Sequence, residues 1–373
     1  MEKKVKIAYL LRPAEGGIKT HLLTLLRGLD QNRIDPIVIC PPSSTLADAV
    51  KQLGIDVIPL DIVGELNPMK DMQAALRLRK ILREIKPDIL HIHSAKAGLV
   101  GRLAVMSRRR PKVILTMHSF VFDERVGEKR RKLISSIERY FLKYTDKIVA
   151  VSQALKDELV SEMALPEEKI DVIYSGITFR DCHKEPHFGI RIGSVARLAP
   201  QKGVELFIRA AALVLAECPN VSFLVAGDGP YRANLRAMAE SLAIPEAIDF
   251  LGFQDDIPAF LSTLDIFMLT SHRETFGLSV VEAMSQAVPV VATRVGGVPE
   301  IIDDEKNGLL AEPGNPQDIA DKVIRLLKDP EFAKQMAEAG NTSVRSRFTA
   351  ERMVGETVAL YTSLMNQRRK VRA

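Results

Sequence analysis

Apolar residues in this chain alternate between two patterns. Short unbroken runs are separated by longer stretches in which apolar positions recur every third or fourth residue. Unbroken runs bounded by turn residues predict buried strands, and the longer period predicts helices. In the first half, strands are predicted at 4–11, 35–40, 55–60, 88–93, 112–117, 147–151 and 171–174. Helical patterns lie between them, among them 17–29, 45–53, 70–85, 96–107 and 129–143. The second half repeats the alternation, with strands near 189–195, 221–227, 247–251, 265–269, 289–292 and 308–311. Its helices fall near 202–217, 230–242, 256–262, 278–287, 298–303 and 316–328, and a long helical stretch over 331–367 ends the chain. Strand–helix alternation predicts an α/β fold of parallel sheets covered by helices on both faces. Residues 178–188 are polar and aperiodic, which predicts a linker between Rossmann-like domains 1–177 and 189–349. Such sheets bind ligands at the carboxyl ends of their strands, so two domains predict a cleft holding the site.

At 373 residues the chain is long for one core, in agreement with two domains. The cysteines Cys40, Cys182 and Cys218 lie far apart. That argues against a disulfide framework or a zinc site and fits a reducing cytoplasm. The first apolar run is short and followed by Arg12 and Pro13, so it reads as a strand rather than a signal peptide. No stretch approaches the roughly 20 apolar residues that span a bilayer. The net charge of +5 is uneven: residues 1–180 carry 31 Lys+Arg against 22 Asp+Glu. Much of the excess lies in Arg102, Arg108, Arg109, Arg110 and Lys112 and in Lys129, Arg130, Arg131 and Lys132. A basic half suits an anionic partner, either a membrane surface or a phosphate-bearing substrate, and it is also what a solvated face carries. Nucleic acid is disfavoured, because no aromatic residues interleave the basic clusters and no recognition motif accompanies them. The expected place is the cytoplasm, peripheral on the inner membrane face.

The segment Glu274-Thr-Phe-Gly-Leu-Ser-Val-Val-Glu282 is the most informative in the chain. Leu278, Val281 and Met284 repeat at helical spacing, so Thr275, Phe276 and Gly277 form a loop entering a helix. A helix start offers free N–H groups and partial positive charge, which suit a phosphate. Glu282 then lies roughly 7 Å further along the axis, within reach of a ribose diol. Glu274 lies on the other side, where a sugar could sit. Two glutamates around a helix start are also common on solvent-facing helices, and it is the remaining motifs that separate the readings.

Those motifs follow predicted strands. Gly16-Gly17 opens the first helix, as a plain turn or a phosphate approach, and it is not a dinucleotide fingerprint. Arg197 and Lys202 follow the strand ending near Val195 and could clamp a diphosphate and stabilise its departure. Gly227 and Gly229, in Gly-Asp-Gly-Pro, are a turn that would also let backbone approach a ligand. His118 ends another strand, where it could contact a substrate hydroxyl. His91 and His93 alternate on one strand face like metal ligands, but the spacing offers no third and fourth ligand. Ser94 is expected to cap the following helix, and its neighbour Lys96 could touch an acceptor.

Taken in order, these segments resemble the family-4 retaining glycosyltransferases of the GT-B fold. The resemblance rests on Gly16-Gly17, His118, Val151-Ser152, Tyr174-Ser175-Gly176-Ile177, Arg197 to Lys202-Gly203, Gly227 to Pro230, Glu274 to Glu282, Gly296-Gly297 with Pro299-Glu300, and Asn307-Gly308-Leu309. It implies a nucleotide-diphosphate sugar donor on the C-terminal domain and a carbohydrate or lipid-linked acceptor on the N-terminal domain. It implies a catalytic set of His118, Arg197, Lys202 and Glu274. The donor-binding set is Gly16, Gly17, Gly227, Gly229, Phe276, Gly277, Leu278 and Glu282, with no metal and no cofactor beyond the substrate. It also implies that the helix from about 350 packs back on the first domain. Where the family often has Asn-Gly-Ile/Val-Asp, this chain has Ser175-Gly176-Ile177-Thr178, which weakens any role given to an Asn or Asp there. Two other readings fit part of the pattern: a nucleotide-sugar epimerase on a related fold, which needs no acceptor, and a non-catalytic nucleotide- or glycan-binding protein.

Overall fold

The computed structural model describes residues 4–13, 16–42, 44–64, 67–106, 110–120, 122, 127–184 and 187–372, with backbone alone for 368–372. Arg108, Arg109 and the side chains of Arg368, Arg369, Lys370 and Arg372, a second basic cluster near the end of the chain, lie outside the described residues. The chain forms two compact units, Met1–Gly176 with Ala350–Ala373, and Ile177–Thr349.

The first unit is built on seven strands: β1 (Val5–Leu10), β2 (Ile34–Cys40), β3 (Asp56–Pro59), β4 (Ile89–His93), β5 (Lys112–Met117), β6 (Lys147–Ala150) and β7 (Ile170–Val172). They pair in parallel in the order β3-β2-β1-β4-β5-β6-β7. The helices are α1 (Gly17–Gly28), α2 (Thr45–Gln52), α3 (Pro68–Ile85), α4 (Ala95–Ala104), α5 (Glu128–Phe141) and α6 (Gln153–Ser161). The central strands are buried beyond the first one or two residues of β1 and β5, as a sheet covered on both faces requires. The order reverses between β1 and β4, which opens a crevice at their carboxyl ends.

The second unit has six strands: β8 (Ile190–Val195), β9 (Val221–Ala226), β10 (Ile248–Gly252), β11 (Ile266–Leu269), β12 (Val290–Thr293) and β13 (Leu309–Ala311). Their order is β10-β9-β8-β11-β12-β13, again parallel, with the reversal between β8 and β11. Its helices are α7 (Val204–Glu217), α8 (Arg232–Ser241), α9 (Ile257–Ser262), α10 (Leu278–Ser285), α11 (Val298–Ile301), α12 (Pro316–Lys328) and α13 (Pro330–Arg347). Phe207, Phe223, Met268 and Val323 sit in its core.

The helical stretch expected over 331–367 is in fact two helices. After α13, Phe348 leaves the helical region at φ −121°, and its carbonyl accepts from the Ile177 amide at 3.0 Å. A new helix, α14 (Ala350–Arg372), then packs on α1 in the first unit. Gly28 is what lets it close in, since a Cβ there would meet Val354 Cγ2 at 2.6 Å. The helix α6 is absent from the expected set; Ser152 caps it, accepting from the Leu155 amide at 3.1 Å. Among the described residues no helix is long and apolar enough to cross a membrane.

Candidate functional site

In the second unit, the expected residues collect where β8, β9, β11 and β12 end, on either side of the reversal. Lys202 follows β8 and Glu274 follows β11, and they meet with Lys202 Nζ 2.5 Å from Glu274 Oε2. The Ser271 hydroxyl donates to the same oxygen at 3.2 Å, and the Gly297 amide donates to the Glu274 carbonyl at 3.1 Å. Two strand ends therefore hold its carboxylate, and a third holds its backbone. The Arg197 side chain is exposed and has no partner among the described residues, leaving all its donors open to an anion.

Phe276 is buried and meets Phe348 edge-on at 5.3 Å, which anchors the loop before α10. Gly277 occupies the N-cap of α10 at φ 106°, a conformation that favours glycine, and no side chain caps the helix. The helix start at Gly277 and Leu278 is thus left for a ligand. Glu282 stands in the second turn. Burial pushes its carboxyl up to about 7, and among the described residues no hydrogen bond or ion pair reaches it. A half-buried acid without a protein partner is an unfilled acceptor.

Gly227 and Gly229 let two loops of the second unit close on one another. The Gly227 amide donates to the Gly252 carbonyl at 2.7 Å, and the Gly229 amide to Asp228 Oδ1 at 2.7 Å. A Cβ at Gly227 would lie 2.0 Å from the Ala196 carbonyl oxygen, and one at Gly229 2.4 Å from that of Leu198. The backbone they approach is therefore the loop carrying Arg197, and their own amides are taken.

The first unit brings together four histidines. Gly16 precedes α1 and Gly17 begins it; one turn on, the buried His21 faces the ends of β4 and β5. His93 Nδ1 and His118 Nε2 are 2.9 Å apart, and the His21 and His118 rings meet edge-on at 4.7 Å. Ser175 Oγ holds His21 Nδ1 at 3.0 Å. The ring nitrogens of His21, His93 and His118 lie within 4.8 Å of one another, so these three could hold a metal ion. Strand spacing offered no such third ligand, because His21 arrives from α1. His91 stacks on His93 at 4.4 Å, but its own ring nitrogens are taken, bonding Tyr361 at 2.6 Å and Thr116 at 2.6 Å. Burial, reinforced by their mutual repulsion, keeps His91, His93 and His118 neutral, and burial alone lowers His21 to about 4.

Two smaller expectations also change. Ser94 makes no cap to α4; its backbone turns to φ 83° and its hydroxyl has no partner among the described residues. Lys96 is bound to both oxygens of Asp71, each at 2.6 Å, in a buried pair. Of these residues His21 escaped sequence reading. Its one signal is a polar residue on the helix face formed by Leu22, Leu25 and Leu26.

Comparison with known proteins accounts for nearly the whole chain. Residues 15–180 match the model described as Glycosyltransferase Family 4, and 178–343 the model described as Glycosyl transferases group 1. An uncharacterized glycosyltransferase of Methanocaldococcus jannaschii is 31% identical, over 93% of this chain and 94% of its own. An Escherichia coli UDP-Gal:alpha-D-GlcNAc-diphosphoundecaprenol alpha-1,3-galactosyltransferase is 26% identical, over 87% of this chain and 89% of its own. Among solved structures, an Anabaena protein in complex with UDP-glucose superposes with a TM-score of 0.85 at 22% identity, covering 96% of this chain and 99% of that one.

Proposed function

This chain belongs to the group 1, family 4 glycosyltransferases and has their GT-B fold, and from that premise we propose that it moves a hexose-type sugar from a nucleotide-diphosphate sugar to an acceptor hydroxyl with retention of anomeric configuration. One observation carries this reading. At the strand reversal of the second unit, Lys202 and Glu274 are paired beside the uncapped start of α10, with the unpartnered Glu282 further along the same helix. That order matches a donor read as sugar, diphosphate and ribose. Glu274 would hold the sugar hydroxyls, the α10 start and Arg197 the diphosphate, and Glu282 the ribose diol. His118 would contact the donor sugar.

In this mechanism the acceptor hydroxyl attacks from the face the diphosphate leaves, and the departing oxygen takes its proton. Arg197, Lys202 and the helix start gain strength as charge develops on the leaving group, so they favour the transition state over the ground state. Neutralisation by these groups makes the reaction metal-independent, and turnover unchanged by a chelator is the expected result. Calorimetry with UDP, GDP, ADP, CDP and NAD tests the donor site. One diphosphate should bind tightly to the wild type and weakly to Glu282→Ala. Binding by none of the four diphosphates would overturn the reading. Incubation with the nucleotide sugar alone separates a transferase from an epimerase, which would convert the sugar without acceptor.

A lipid-linked acceptor in envelope glycoconjugate synthesis is favoured by the Escherichia coli relative and by the surface of α5. Leu133, Ile137 and Tyr140 are exposed at helical spacing on that helix, which also carries Lys129, Arg130 and Lys132. An apolar stripe flanked by cations suits an anionic bilayer surface. The protein would then work peripherally on the cytoplasmic membrane face.

A further inference from the structure

Three histidines from separate elements of the first unit converge: His21 on α1, His93 at the end of β4 and His118 just after β5. One ring nitrogen of each lies within 4.8 Å of the other two. His21 and His93 are buried and His118 is half-buried, so the group is reached from the side of His118. Each ring is held as a metal ligand needs. Ser175 Oγ holds His21 Nδ1 at 3.0 Å, which leaves Nε2 as the uncommitted nitrogen of that ring. Among the described residues His118 bonds His93 alone, Nε2 to Nδ1 at 2.9 Å. The other nitrogen of His93, Nε2, is buried and has no partner among the described residues. No group outside the cluster therefore competes for His93 or His118. Burial keeps all three imidazoles neutral, the form that ligates a metal.

We propose that His21, His93 and His118 form a binding site for a divalent transition-metal ion of the zinc class, and that filling it inhibits sugar transfer. Three imidazoles suit such an ion and leave a fourth position for a water or another oxygen. The set contains no carboxylate, which disfavours Mg2+ and Ca2+. Nitrogens bound at about 2.0–2.1 Å to a tetrahedral ion stand about 3.3 Å apart. The His93–His118 contact therefore opens by about 0.4 Å to admit the ion, and the other pairs close by side-chain tilt. Inhibition follows because the ion occupies His118, the residue assigned to the donor sugar. That consequence rests on the transferase reading; the metal site itself does not. Transfer by the metal-free protein needs no ion, so the site regulates the reaction and takes no part in it.

Calorimetry with Zn2+ on the full chain, carrying no histidine tag, tests the site. Zn2+ should bind one to one and raise the thermal midpoint, and Mg2+ should do neither. Co2+ in its place should give the intense visible absorption of a four-coordinate ion. His118→Ala, at the half-buried position, should abolish stoichiometric binding. Ser175→Ala keeps all three imidazoles and should weaken Zn2+ by about tenfold to a hundredfold, the usual cost of losing a group that orients a ligating histidine. Exposed His183 beside Cys182 offers the ion a surface alternative, so Cys182→Ser with His183→Ala is the control and should bind as wild type does. Equal binding by wild type and His118→Ala, loss of binding in the control, or no binding at all would overturn the site. In transfer assays added Zn2+ should inhibit the wild type, and a chelator should restore full turnover. Stoichiometric binding with unchanged turnover would overturn the inhibitory role. Binding by a protein that transfers no sugar would keep the site and remove the transferase reading.

Discussion

At the scale of single residues, Glu282 makes the sharpest statement about pH. Its carboxyl is raised from an ordinary 4.5 to about 7 by burial. The folded state therefore holds a proton that the unfolded state releases between those values. Stability contributed by this site is full below about pH 4.5, falls as pH rises, and levels off above 7. Glu282→Gln removes the cost. The variant should match wild type near pH 4 and exceed it at pH 8 by about 1–3 kcal/mol, read from denaturant midpoints. Donor binding should run the other way, since an ionised carboxylate is the better acceptor for two ribose hydroxyls. A nucleotide sugar, whose diphosphate does not titrate near neutrality, should bind more tightly to wild type as pH rises from 6 to 8. The same titration on Glu282→Gln should be flat; parallel curves would assign the ribose to another residue. At the paired site, Glu274→Ala should lower turnover on the order of a hundredfold, comparable to losing one group that stabilises transition-state charge. Arg197→Ala should act similarly with the fold intact, and near wild-type turnover in both variants would sink the assignment.

At the scale of elements, strands and helices were legible because each keeps one period of apolar residues. Helices α1, α3 and α12 and every strand of both sheets lie close to the expected spans. The segment from Glu274 to Glu282 was legible for the same reason, since Gly277 marks a helix start and Leu278, Val281 and Met284 continue it. What escaped depends on contacts distant in sequence. Periodicity continues across Phe348, but the chain leaves the helix there, where Phe348 and Thr349 meet Ile177. Gly227 and Gly229 have the composition of a ligand loop, but the backbone they admit is that of Ala196 and Leu198. Ser94 has the residue type of a cap, but at φ 83° its hydroxyl makes no bond to the helix start. Helix α5 offers a test at this scale. Replacing exposed Leu133 and Ile137 with Ser removes apolar surface worth about 1.5–3 kcal/mol per side chain on full burial. Binding to vesicles rich in anionic lipid should fall at least tenfold, with nucleotide binding unchanged. Equal recovery of wild type on neutral and anionic vesicles would count against membrane docking.

At the scale of the whole molecule, the two units differ in how the chain builds them. The second is continuous from Ile177 to Thr349, whereas the first needs α14 from the far end of the chain. Met353, Val354, Leu360, Tyr361 and Leu364 belong to the core of the first unit. Tyr361 also completes a buried network: its hydroxyl donates to Tyr9 at 3.2 Å and meets His91 Nδ1 at 2.6 Å, while Thr116 holds His91 Nε2. The alternation of His91 and His93 could be read from sequence, but their separate fates could not, because Tyr361 lies 270 residues beyond His91. Removing 350–373 would therefore expose five apolar contacts and orphan buried groups on Tyr9 and His91. At about 1.5–3 kcal/mol per apolar side chain and 1–3 per unsatisfied polar group, the loss is comparable to the whole stability of a domain. A chain ending at Thr349 should show two thermal transitions, with the lower one lost or shifted strongly down and the other retained. Because Lys202, Glu274, Gly277 and Glu282 all lie in the continuous unit, nucleoside diphosphate binding should survive this truncation while glycosyl transfer disappears. Loss of nucleotide binding together with transfer would mean that the donor site depends on the first unit as well.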